Sequence, residues 1–476
     1  MVSENVGLTA SKALPTTRSA DRIKELMCRA MVSGIALVAA MHLALFGYFL
    51  WRTAITSPIS DMFAYIGSYL QFRMGGMSLP DYLWRVHGEH HLVWIRMLTW
   101  ADVEIFHTRG IPFIGAATAA IAATAVLVWQ QLRRAEPQLG GATNLGLLAP
   151  MLILSTANVT DCSVPINTTY PFTVFFVVLA LVLIAGTQEI NSNTRYRRIA
   201  AMLAAIGASM GTAAGLLAWP ILLWIAWRER IGRGWLITLA GIGIFYSLFY
   251  AQGLNFLGLA PALNKDAESF VSAAHLFRLS HYFFAFLGLP FTREPAFGLI
   301  GNAIGAVLFL TGLSAILIAT FSNRLSTQLD RIAIGMILLG LGAAVLAAVG
   351  RSDLEDEVKV PVRYTMFVSA LQVGLLCILL PRVMRYFENP RVRILQCSAG
   401  FTVALVLLIA QVFIGRSAAQ IAAAISRDAD CFAQGAQRGP VSTIVTRWPE
   451  DAQTVLNALR QQGLLAPRSR DCTTHS

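Results

Sequence analysis

Long uncharged apolar runs separated by short polar ones set the pattern of this chain. The first occupies residues 30–51, and others follow at 110–132, 137–160, 162–188, 199–227, 234–264, 296–323, 332–350, 364–381 and 394–415. Each is long enough to cross a hydrocarbon core of about 30 Å as a helix. The run 199–227 is too long for one straight helix and is broken around Gly215 and Pro220, so it predicts two short crossings. The pattern then predicts an all-α, polytopic membrane helix bundle of about eleven transmembrane helices.

With that count the basic clusters alternate between the two sides. Arg133/Arg134, Arg195/Arg197/Arg198, Arg228/Arg230/Arg233, Arg324/Arg331 and Arg382/Arg385/Arg391/Arg393 fall on one side. Residues 1–29, with Lys12, Arg18, Arg22, Lys24 and Arg29, share it. Positive loops face the cytoplasm, so the N-terminal segment is expected inside and the C-terminus outside. The expected organisation is a cytoplasmic segment 1–29, a transmembrane domain 30–415 and an extracytoplasmic module 416–476.

The polar interlude 52–110 reads as helical. Ser60 or Asp61 can cap a helix that places Met62, Tyr65, Ile66 and Tyr69 on one face, and Asp81 can cap a second after Leu79-Pro80. From His91 to Phe106 the helical period of Leu92, Ile95, Leu98, Thr99, Asp102 and Phe106 predicts an amphipathic helix along the membrane surface. A weaker apolar stretch at 281–291 is too short to cross and is expected in the interface. The tail carries a helix-like segment at 449–462.

Composition agrees with the pattern: 13% of residues are charged, 56% are hydrophobic, and mean hydropathy is +0.60. This is a membrane composition. A net charge of +11 would suit a nucleic-acid partner, but the Lys and Arg residues stand in small clusters between apolar runs, where they act as orientation signals; no nucleic acid is expected. No small-residue cleavage site follows 30–51, which reads as a retained helix. Of six cysteines, Cys431 and Cys472 lie in the polar tail and are a natural disulfide if it faces an oxidising compartment.

Chemistry gathers in 52–110, with Asp61, Asp81, Glu89, Asp102 and Glu104 beside His87, His90, His91, His107, Arg85 and Arg96. Ionisable side chains are expensive in a hydrocarbon-rich chain, so such a cluster is a functional candidate. Each member also has a plainer reading. Asp61 suits a helix cap. Arg96 suits a headgroup anchor. Arg351 and Arg363 flank the acidic run 353–357, where they suit a local ion-pair network or a phosphate clamp. Asp161 suits a loop-end cap or a second acid. His87, His90, His91 and Glu89 lack the order of a zinc helix motif, so no metal is expected. No Gly-rich phosphate loop and no cofactor motif is present.

The order of a first helix, a long outer loop with Asp61, the string His87-Gly88-Glu89-His90-His91-Leu92-Val93-Trp94-Ile95-Arg96-Met97-Leu98, then Gly215-Leu216-Leu217-Ala218-Trp219-Pro220 and Val362-Arg363-Tyr364-Thr365, resembles the GT-C class of membrane glycosyltransferases. More narrowly it is similar to bacterial members whose first loop reads Asn-Glu-His-Arg. The resemblance spans most of residues 30–415. His91 stands where those proteins carry arginine, and Asp61 stands without a close acidic neighbour, so Glu89 is expected to share its role.

The resemblance implies transfer of a sugar from a polyprenyl-phosphate donor to an envelope glycan or lipid acceptor outside the bacterial inner membrane, with inversion. It implies Asp61 and Glu89 as catalytic carboxylates and His90, His91, Arg96, Arg351, Arg363 and Tyr364 as substrate contacts. A lipid-linked oligosaccharide transporter would need ionisable residues at helix midplanes, which the runs nearly lack. A non-catalytic assembly subunit, using the loop and tail to hold partners, is the other alternative.

Overall fold

The computed structural model describes residues 16–87, 90–135, 144–186, 192–252, 272–293, 298–322, 327–351, 360–386, 390–435, 445–446, 448–467 and 472. Its helices in chain order are α1 (Thr16–Thr53), α2 (Met62–Arg73), α3 (Leu79–Trp84), α4 (Val93–Glu104), α5 (Ile111–Ala135), α6 (Leu148–Ile153), α7 (Val159–Ser163), α8 (Thr169–Ile184) and α9 (Ser192–Ser209). They continue with α10 (Ala218–Arg228), α11 (Arg233–Ala251), α12 (Ala273–Leu287), α13 (Gly298–Phe321), α14 (Gln328–Arg351), α15 (Thr365–Tyr386), α16 (Pro390–Gln434) and α17 (Pro449–Gln461). No strand occurs among the described residues, and one isolated bridge joins His87 to His90. The fold is an all-α bundle.

Nine helical stretches among the described residues are long and apolar enough to cross a membrane. The most enclosed is α14, apolar on every side. Its glycines let neighbours close in: a Cβ at Gly335 would meet Leu181, and one at Gly340 would meet Leu371. Peripheral α13 instead exposes Leu299, Val307, Leu310 and Phe321, the face hydrocarbon chains would cover.

The break expected around Gly215 and Pro220 spans residues 210–217 and includes Gly215. Helix α9 ends at Ser209, the chain turns through 210–212, and a short 3₁₀ turn, Ala213–Leu217, leads into α10. Gly215 makes this turn possible, because a Cβ there would collide with the Ala208 carbonyl. Pro220 lies in the first turn of α10, where it is tolerated. Both outer ends of this helix pair return to one end of the bundle: Arg197 donates to the Val182 carbonyl at 3.1 Å, and Arg228 donates to the Thr320 carbonyl at 3.3 Å.

At the opposite end, here the loop face, a second hydrophobic core forms outside the bundle. Ile55, Ile59, Phe63, Ile66, Tyr82, Ile95 and Val103 pack there with Ala429, Phe432, Val445, Leu456 and Leu459. The tail thus supplies more than a third of this ledge's buried residues. Helix α16 makes that possible by not stopping at residue 415: at 1.5 Å per residue its 45 residues reach about 68 Å, over twice a bilayer core of about 30 Å. The excess carries Cys431 to its disulfide with Cys472, and Asp430 to the Ser57 hydroxyl. Arg73 joins α2 to both sides, bonding Glu104 at 2.7 Å and Gln462 at 2.6 Å.

Helix α4 buries charged side chains among apolar ones. Its Met97, Trp100 and the following Ile105 are exposed, whereas Arg96 and Asp102 are buried. Asp102 Oδ1 accepts from the Gly110 amide at 2.8 Å and so closes the chain's entry into α5. The buried side of α4 thus mixes Ile95, Thr99 and Val103 with the charged Arg96 and Asp102, while Met97 and Trp100 face outward.

Candidate functional site

Asp61 sits at the N-terminus of α2 and makes no side-chain cap bond. The turn before it explains how it is presented. Ser60 adopts a left-handed conformation (φ 50°), which costs a residue with a Cβ about 1–2 kcal/mol, and its amide donates to the Val445 carbonyl at 2.6 Å. An uncommon backbone conformation held by a distant segment is typical of positions where geometry serves function. The Asp61 carboxylate lies 3.3 Å from His87 Nε2.

His87 and His90 are paired through their backbones, with amide to carbonyl distances of 2.9 and 3.1 Å. The bridge aims both imidazoles at one cleft. His90 Nδ1 accepts from the Ala213 amide at 3.3 Å, which ties the first loop to the turn between α9 and α10. Glu89, expected as a second carboxylate, lies outside the described residues, as does the acidic run 353–357.

The cleft has a volume of about 200 Å³, and Asp61, Tyr65, His87, His90, Asn167, Thr169, Tyr170, Arg351 and Arg363 contribute to its walls. Arg351 ends α14 and Arg363 lies in the 3₁₀ turn Val362–Tyr364 before α15. Their guanidinium carbons stand 6.0 and 5.8 Å from the Tyr364 ring centroid, so one aromatic ring attracts both cations. Tyr65 is buried, and its phenol is pushed well above its ordinary pKa, first by burial and then by the charge of Asp61. It therefore remains a neutral donor beside the carboxylate.

Of the residues expected from sequence, Asp61, His90, Arg351 and Arg363 share this cleft. Tyr364 stands behind the two arginines, stacked on Phe286. His91 is not in the cleft: it is buried against Trp84, with ring nitrogens 2.6 Å from the Trp84 carbonyl and 3.2 Å from the Gln252 carbonyl. Arg96 is not a surface anchor. It is 1% exposed, lies over the rings of Tyr65 and Tyr82, and donates from Nη2 to the Arg85 carbonyl at 3.1 Å. Among the described residues its Nε and Nη1 have no hydrogen-bond partner. Asp161 is fully buried in α7 and does not line the cleft.

Sequence reasoning did not pick out Tyr65, Asn167, Thr169 and Tyr170 as cleft residues. A signal was present, since Asn167-Thr168-Thr169-Tyr170 is a polar tetrad at the mouth of an otherwise apolar run. No cluster of three or more metal-ligating side chains occurs among the described residues. Chemically, the cleft offers one carboxylate, two imidazoles and two guanidinium groups around a space open to the loop face. Neither a family model nor a curated protein matches this chain.

Proposed function

We propose that this protein is a membrane glycosyltransferase of GT-C type, moving a sugar from a polyprenyl-phosphate donor to an envelope glycan or lipid acceptor on the outer side of the bacterial inner membrane. The observation that carries the reading is Asp61 facing Arg351 and Arg363 across one cleft at the end of an apolar bundle. A lipid-linked phosphate approaching from the bilayer would meet the two guanidinium groups, whose planar forks suit phosphate oxygens. An acceptor hydroxyl near Asp61 would attack the anomeric carbon from the opposite face.

In that step the new glycosidic bond forms as the bond from the anomeric carbon to the phosphate oxygen breaks. The hydroxyl proton goes to Asp61, the electron pair leaves on the lipid phosphate, and configuration inverts. Such general-base assistance contributes about 10²–10⁴-fold. Arg351 and Arg363 would stabilise the charge that develops on the leaving phosphate. Under this proposal α9 and α10 are two short crossings, the count is eleven, the N-terminus is cytoplasmic and the C-terminus lies outside. The disulfide in the tail fits that orientation.

The test is binding of polyprenyl phosphate to the purified protein in nanodiscs, read by native mass spectrometry. The wild type should retain the lipid and an Arg351→Gln/Arg363→Gln double variant should lose it. A wild type that shows no preference for polyprenyl phosphate over a neutral polyprenol would sink the proposal.

A further inference from the structure

A second cleft, of about 360 Å³, lies on the other side of Asp61. Asp61 and His87 are common to both clefts, so the carboxylate stands on the wall between them. The second one opens between α2 and the tail, with Ser68, Gln71, Arg85, Arg96, Thr446, Trp448 and Asp451 among its lining. Its volume falls within the range of about 300–1,000 Å³ common for small-molecule sites.

Two observations indicate what it takes. Trp448 is 59% exposed, an indole face offered to the cleft by the residue preceding α17. Arg96 is the second: a guanidinium 1% exposed, lining the cleft, with Nε and Nη1 unpartnered among the described residues. Buried N–H groups are almost always bonded, and a charged one left without an acceptor carries a penalty that a ligand oxyanion removes. Burial lowers the pKa of Arg96, consistent with a cation that lacks a counter-charge of its own. The charged groups facing the cleft are Arg85, Arg96 and His87 against Asp61 and Asp451, and Asp61 is already offset by His87 at 3.3 Å.

We infer that this cleft is the acceptor subsite and that it holds a sugar bearing an oxyanion, a carboxylate or a phosphate. The inference rests on the glycosyl-transfer reading. The C–H face of the ring packs on Trp448, its hydroxyls meet Ser68, Gln71 and Thr446, and its oxyanion takes the two free N–H groups of Arg96. A remaining hydroxyl then reaches Asp61 from the side opposite the donor cleft.

Calorimetric titration of the full chain in nanodiscs tests this with three probes: methyl glucuronide, glucose 6-phosphate and, as neutral control, methyl glucoside. At least one acidic sugar should bind about 10–100-fold tighter than the neutral one, the worth of a charge-assisted hydrogen bond to a buried group. Which of the two binds better identifies the oxyanion. Arg96→Gln should erase the preference, and Trp448→Ala, at an exposed position that folding does not need, should weaken all three probes. Equal affinity for neutral and acidic sugars, no sugar binding at all, or unchanged binding in Trp448→Ala each overturns the inference, even where Arg96→Gln fails to fold. Polyprenyl phosphate, titrated in parallel on the wild type, separates the two claims. If it binds and the acidic sugars do not, the acceptor subsite falls and the transferase reading stands. Acidic-sugar binding without it sinks the transferase reading, and the acceptor role falls with it.

Discussion

The two ends of the bundle carry similar side chains and use them differently. At the end where α9 begins and α10 finishes, opposite charges lie in contact: Glu229 with Arg331 at 2.7 Å, and Asp330 with Arg382 at 2.8 Å, both carboxylates buried. Glu229 also accepts from the Gly186 amide at 2.7 Å. A cavity of about 230 Å³ sits there, much the size of the one beside Asp61, and the Asp330–Arg382 pair lines it. At the loop face the cations Arg351, Arg363 and Arg96 stand around hollows, and no ion pair with an acid shorter than 4.0 Å joins them among the described residues. Cavity size does not distinguish the two ends. The partners of the cavity-lining arginines do: at one end Arg382 is bonded to a buried carboxylate, whereas Arg351, Arg363 and Arg96 lie over tyrosine rings, even though Asp61 and Arg73 at that face are paired with His87 and Glu104.

This contrast breaks at identifiable places. The largest effect belongs to Asp61→Asn, expected to lower sugar transfer by about 10²–10⁴-fold with a stability change of at most about 1 kcal/mol, since its pair with His87 is part-exposed. A radiolabelled transfer assay with a thermal melt measures both, and full activity in the variant removes Asp61 as the base. Next is Glu229→Gln, which removes the buried carboxylate partner of the part-buried Arg331 and should cost about 3–5 kcal/mol of stability. Transfer per folded molecule should stay at the wild-type level, and a selective loss of transfer would show that the paired end takes part in the chemistry. Opening the disulfide with Cys431→Ser should cost about 2–4 kcal/mol, seen as earlier proteolysis of the ledge while the bundle persists. The smallest effect is Arg363→Gln, about 10–100-fold in affinity for polyprenyl phosphate, read by titration. An equal loss on replacing Arg134, at the paired end, would show that position around a hollow does not matter.

Much of the bundle was legible because a crossing helix announces itself by length and apolarity alone, as residues 110–132 and 332–350 do. Asp61, Arg351 and Arg363 were also within reach, being ionisable groups at the margins of such runs. That they share a cleft was not legible, because it depends on α2, α14 and α15 meeting across some three hundred residues of chain. Arg96 was misplaced for a physical reason. Periodicity puts Ile95, Thr99 and Asp102 on one face of α4, but it does not show that Arg96, one position on from Ile95, is buried with them under the rings of Tyr65 in α2 and Tyr82 in α3. His91 shows the converse, since a polar residue within the motif string is spent on the Trp84 and Gln252 carbonyls. The position of α16's end was hidden too, because an Ala-rich stretch beyond Gly415 continues a helix as readily in water as in lipid.

The hydrogen bond from Ser60 to Val445 also bears on biosynthesis. Roughly four hundred residues separate its donor from its acceptor, and ribosomes add about 5–20 residues per second. For some tens of seconds after residue 60 has been translated, the nascent protein lacks the strut that fixes its carboxylate. Under the glycosyl-transfer proposal, a polypeptide released before that point would insert its helices without the strut behind Asp61 and would be inactive.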